Sequence, residues 1–121
     1  NIFQRHNKHK LAMCNAAKAL NLKLFADEKH LSPSITAIKT EEMDAEEFRK
    51  TIKNKFNILL AGGQDHLKGK IFRVGHLGYV NDRDIITVIS AISNTLFDNG
   101  KITSKQAGEA LVVASEYLKA N

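Results

Sequence analysis

The chain has 121 residues, 43% of them hydrophobic, and 18 Lys and Arg stand against 13 Asp and Glu for a formal charge of +5. That is enough apolar content to close one core, so a single domain over residues 1–121 is expected, and a disordered or low-complexity chain is excluded. No apolar run approaches the roughly 20 residues that span a bilayer, and residues 1–10 hold no apolar segment of the signal-peptide kind; the expectation is a cytoplasmic protein without membrane contact.

The first predicted element is a helix over residues 2–20, in which Leu11, Met13, Ala16, Ala17 and Leu20 recur at helical spacing and Asn21 is placed to end it. Its opening residues, Asn1 to His6, offer no lead-in, as though a longer helix had been cut, which favours a fragment of a larger protein. Cys14 is the only cysteine, so an intrachain disulfide is excluded, and its apolar neighbours point to an inert buried thiol.

Two short strands follow at residues 22–26 and 35–39, separated by a polar stretch over 27–34 that holds the only proline. A second helix starts from Asp44 as N-cap, with Glu47 completing a capping box and Phe48, Ile52 and Phe56 forming one apolar stripe. Residues 58–61 read as a buried strand stopped by Gly62 and Gly63, and residues 70–75 as a further strand after a polar loop. The third helix begins at Asn81 or Asp82, buries Ile85, Ile89, Ile92 and Leu96, and ends where Gly100 can take the left-handed conformation. The fourth carries a Thr103 to Gln106 capping box and buries Ala107, Ala110, Leu111, Ala114 and Leu118. The order suits an α+β two-layer fold: a small, mostly antiparallel sheet with helices on one face, its other face bare.

Within the strand at 70–75, alternation places Phe72 and Val74 toward the helices and Arg73 toward the uncovered side, with Gly75 and Gly78 unable to obstruct it. A guanidinium mounted on a strand is a planar fork suited to bidentate pairing with a carboxylate. The residues alone leave two readings open: a carboxylate-binding arginine and an ordinary structural ion pair.

The run LAGGQDHLKGKIFRVGHLGY over residues 60–79 resembles the small-domain signature of class V pyridoxal-phosphate-dependent aminotransferases, above all their alanine-glyoxylate and serine-glyoxylate branch. That branch also includes proteins labelled as the tritium-exchange or large subunit of a cyanobacterial soluble hydrogenase. The run LSPSITAI over 31–38 and NDRDI over 81–85 fit the family too, and the similarity is densest from residue 58 to 96. The resemblance implies that Arg73 holds the substrate's α-carboxylate in a transaminase moving an amino group between alanine or serine and glyoxylate or pyruvate. It implies further that the Schiff-base lysine, the acid facing the pyridine nitrogen and the phosphate cradle all lie upstream, in a large domain or its dimer mate. No catalytic residue and no bound pyridoxal 5'-phosphate is therefore expected in this chain. Its expected partners are the large domain of the same parent, which forms a homodimer, and the two substrates.

The remaining positions yield blander expectations. Lys68 and Lys70 read as solvated loop charges. His6 and His9 share a helix face at a spacing that can hold a metal, but no third ligand is apparent, so a solvated face is expected and no metal site. His76 follows Arg73 and stands either near the substrate entrance or as a hydrogen-bonded structural histidine. Gly62 and Gly63 close a strand and open no helix that could cradle phosphate. Two other function classes stay on the table: a free-standing basic module for nucleic acid or an acidic protein, and a small-molecule regulatory domain using the bare sheet face. The first is disfavoured by scattered charge and an aromatic content of only 7% without tryptophan. The second should bind a metabolite unaided.

Overall fold

The computed structural model describes residues 2–25, 35–75 and 81–119, with side chains from residue 7 on. Helix α1, Ile2–Ala19, is followed by strand β1, Lys23–Leu24, and strand β2, Ile35–Lys39. Helix α2, Ala45–Phe56, leads to the short strand β3, Ala61–Gly62, a 3-10 turn at Asp65–Leu67 and strand β4, Ile71–Gly75. Helices α3, Asp82–Asp98, and α4, Ser104–Lys119, complete the chain. The strands form one antiparallel sheet in the order β1-β2-β4-β3. This is the expected α+β arrangement.

Helices α1 and α2 lie on the sheet, α3 packs against both, and α4 packs on α1 and α3. One core joins Ala12, Met13, Ala16, Ala17 and Leu20 of α1 to Ile38 of β2, Phe48 and Ile52 of α2, Phe72 and Val74 of β4, and the apolar stripes of α3 and α4. The Phe48 and Phe72 rings meet at 5.2 Å between centroids, tilted by 31°, which fixes the helix-facing side of β4.

The helix ends obey local chemistry. Asp44 caps α2 by accepting from the Glu46 amide at 2.8 Å, but the reciprocal bond expected from Glu47 is not made. The complete capping boxes sit elsewhere: Asn81 with Asp84 at α3, and Thr103 with Gln106 at the start of α4. Asn21 at φ 62° ends α1 and Gly100 at φ 73° follows α3, both in the left-handed region that a helix stop requires.

Several burial expectations need correction. Leu11 and Phe56 are exposed, because the α1 stripe turns through Ala12 and Met13 instead and Phe56 is the last residue of α2. Cys14 is only partly buried. The expected buried strand at 58–61 is instead the two-residue edge strand β3, with Leu59 78% exposed, Leu60 buried in the core and Ile58 partly buried against it. Ala107 and Leu111 are partly buried, while Ala110, Ala114 and Leu118 fill the α4 interface. Among the described residues, no helix is long and apolar enough to cross a membrane.

Candidate functional site

Strand β4 carries alternating chemistry. Phe72 and Val74 are buried against the helices, so the pleat turns Arg73 to the opposite, helix-free face of the sheet. Its cross-strand neighbours there are Ala37 of β2 and Ala61 of β3, and neither has more than a methyl group to place beside the guanidinium. Gly75, two residues along the same face, has open space where a Cβ would stand. The helix-free face is not wholly bare: Ala37 and Ile71 on it are buried, and Gly63 approaches Ile71 and the carbonyl of Leu67 so closely that a Cβ would stand 2.9 Å and 2.4 Å from them.

Arg73 is half-buried, and its Nε donates to the carbonyl oxygen of Gly62 at 2.9 Å. Among the described residues no carboxylate pairs with it. One of its three nitrogens is thus fixed by the edge strand, and Nη1 and Nη2 remain as two parallel donors whose plane is set by that bond. Such a pair can take both oxygens of one carboxylate.

The same edge strand is held from the other face. Arg49 on α2 donates from Nε to the carbonyl of Leu60 at 2.8 Å and pairs through Nη1 with Glu46 Oε1 at 2.7 Å. Gly62 gives this pair its room, since a Cβ there would stand 2.7 Å from both Arg49 Nη1 and Glu46 Oε2. Sequence reasoning passed over Arg49; its one signal was a glutamate three residues earlier on a helix that precedes the two glycines.

The other candidate positions fall as follows. Lys68 and Lys70 are exposed, as expected of loop charges. His9 is not on a solvated face: it is fully buried, and its Nε2 meets Asp82 Oδ1 at 2.9 Å, with Lys8 Nζ 3.2 Å from the same carboxylate. The Asp82 side chain crosses from α3 to α1 and so converts a helix-surface position into an interhelical one. Burial pushes the Asp82 carboxyl up, but hydrogen bonds from His9 and Lys8 and their charge outweigh it and hold the group below its ordinary value of 3.8. Among the described residues there is no cluster of three His, Cys, Asp or Glu that could hold a metal. His76, Gly78 and residues 31–34 lie outside the described residues.

No family model matches the chain. Individual proteins do. It is 48% identical over 97% of its length to the soluble hydrogenase small subunit of Synechococcus sp., and 33% identical over 100% of its length to the serine–glyoxylate aminotransferase of Methylorubrum extorquens. Among solved structures, the ureidoglycine–glyoxylate aminotransferase of Bacillus subtilis superposes on 93% of the chain with a TM-score of 0.81 at 29% identity. The chain spans about 30% of the length of each of these proteins. Its α+β fold matches the C-terminal domain of pyridoxal-phosphate-dependent aminotransferases. Similarity to a glyoxylate aminotransferase along its whole length, on that shared fold, establishes that the chain belongs to the class V aminotransferases.

Proposed function

We propose that this chain is the C-terminal small domain of a pyridoxal-phosphate-dependent transaminase, in which Arg73 binds the α-carboxylate of a small amino acid and of its 2-oxo acid acceptor. The observation that carries the reading is the guanidinium itself: half-buried on the helix-free face, flanked by Ala37 and Ala61, braced through Nε and left with two parallel donors. A cation so placed, with no carboxylate paired to it among the described residues, suits an acid that arrives from outside the domain. The serine–glyoxylate aminotransferase among the relatives supports serine as donor and glyoxylate as acceptor, and the proposal extends to alanine and pyruvate as acids of similar size.

Among the described residues, none builds a cofactor site. Lys68 and Lys70 point to solvent, and Gly62 and Gly63 lead only to a 3-10 turn of three residues, too short for a helix N-terminus to receive a phosphate. Pyridoxal phosphate would supply the electron sink for amino transfer from a large domain upstream of this one, in a homodimeric cytoplasmic enzyme. The contribution of Arg73 is orientation. By fixing the carboxylate it decides which bond to Cα stands perpendicular to the cofactor ring, and losing such a contact should cost on the order of a few kcal/mol of transition-state stabilisation.

The test is Arg73→Ala in the full-length holoenzyme. kcat/KM for the amino donor should fall by about a hundredfold or more; an unchanged value would reject the assignment.

A further inference from the structure

Two guanidiniums hold the short segment from Leu60 to Gly62, which contains strand β3, from opposite faces of the sheet. Strand β3 pairs with β4 through only Ala61↔Arg73 and Gly62↔Phe72, and the residue before Leu60, Leu59, is exposed. So short an edge has little to hold it in register. Arg49 supplies what the ladder lacks: its Nε grips the carbonyl of Leu60, and its Nη1 is locked by Glu46 one turn earlier on the same helix. Two residues on, the carbonyl of Gly62 receives Nε of Arg73.

We infer that Arg49 is a positioning residue for Arg73, acting through β3; the inference rests on the reading of Arg73 as the carboxylate-binding group. The position of the Gly62 carbonyl sets the plane of the Arg73 fork, and the Leu60 anchor sets the position of that carbonyl. Gly62 belongs to the device twice, as the acceptor for Arg73 and as the residue whose missing Cβ leaves room for the tips of the Arg49–Glu46 pair against its α-carbon. The pair is not optimal for stability alone, because Glu46 Oε2 is buried with no hydrogen-bond partner among the described residues. An ammonium cannot replace this arrangement, since a lysine offers one point of charge where the guanidinium meets a carbonyl and a carboxylate in one plane.

The experiment compares Arg49→Lys, Gly62→Ala and Arg73→Ala in the full-length holoenzyme. It measures KM and kcat for the amino donor, the inhibition constant of glycolate as a carboxylate without an amine, and the absorbance of bound cofactor. Arg49→Lys should raise the glycolate constant by about tenfold and lower kcat/KM for the donor by at least as much, with the cofactor spectrum little changed. Gly62→Ala leaves Arg49 in the sequence but displaces the same pair, so it should reproduce that pattern, and the double variant should be no worse than either single one. If Arg73→Ala changes both constants in this way while Arg49→Lys and Gly62→Ala leave them unchanged, Arg49 has no positioning role and the reading of Arg73 stands. If Arg73→Ala leaves both unchanged, the carboxylate reading fails and the inference falls with it.

Discussion

His9 on α1 and Asp82 at the first position of α3 meet at 2.9 Å across 73 residues of sequence. The ring is fully buried and the carboxylate half-exposed, so the contact closes a polar seam between two helices at the point where the chain enters α3. Nδ1 of the same ring is buried without a partner among the described residues, which leaves Nε2 as the ring's only described link.

That seam predicts an acid-sensitive part of stability. The folded-state pKa of Asp82 lies below its unfolded value of 3.8, so the pairing stabilises the protein above the unfolded carboxylate range. The contribution is lost as pH falls through 3.8 and then through the lower folded value. Solvent screening at a half-exposed carboxylate keeps it under about 1 kcal/mol. Urea midpoints of wild type and Asp82→Asn should therefore differ most near neutrality and begin to converge only below about pH 4; a gap that stayed constant down to pH 3 would show that ionisation of Asp82 contributes nothing. His9→Ala should cost more, about 2–4 kcal/mol at any of these pH values, because it also opens a cavity.

The glycines of the β3 to β4 region are not equivalent. At Gly63 a Cβ would stand 2.4 Å from the backbone oxygen of Leu67, which cannot swing aside as a side chain can. Gly63→Ala should destabilise by about 1–3 kcal/mol, whereas Gly75→Ala, with nothing near its Cβ, should leave the denaturation midpoint within about 0.5 kcal/mol of wild type. Equal midpoints for the two variants would contradict the close approach at Gly63.

Periodicity made the helices and the antiparallel pair β2 and β4 legible, since Ile85, Ile89, Ile92 and Leu96 keep one face of α3 and Phe72 and Val74 one face of β4. The face that carries Arg73 followed from the same alternation. What stayed hidden depends on partners distant in sequence. Nothing around His9 announces Asp82, because a polar residue inside a helix reads as solvated until another helix is laid over it. Residues 58–61 look like a buried strand by composition, yet the two glycines and the turn behind them confine pairing to Ala61 and Gly62 and leave Leu59 in solvent. The brace from Arg49 was invisible for the same reason: a charged helix residue acquires its role only when β3 is brought against it.

The contrast between Leu59 and Phe72 turns that point into a measurement. Phe72 is fully buried and stacked near Phe48, so Phe72→Ala should cost about 3–5 kcal/mol and leave a marginal domain. Leu59→Ser, at a position 78% exposed, should change stability by no more than about 0.5 kcal/mol. A loss of several kcal/mol at Leu59 would mean that residues 58–61 do form the buried strand their composition suggests.

Asn81 tests the capping of α3 without touching the core. Its side chain accepts from the Asp84 amide at 2.9 Å while Asp84 accepts from the Asn81 amide at 2.9 Å. Asn81→Ala removes only the first bond and should destabilise by about 1 kcal/mol. Asp84→Ala removes the second together with a carboxylate near the positive end of the helix dipole, and should cost a similar amount that shrinks as salt is raised. Denaturation at low and high ionic strength separates the two: the Asn81→Ala loss should be indifferent to salt, and a salt-dependent loss there would assign the effect to the helix field and not to the hydrogen bond.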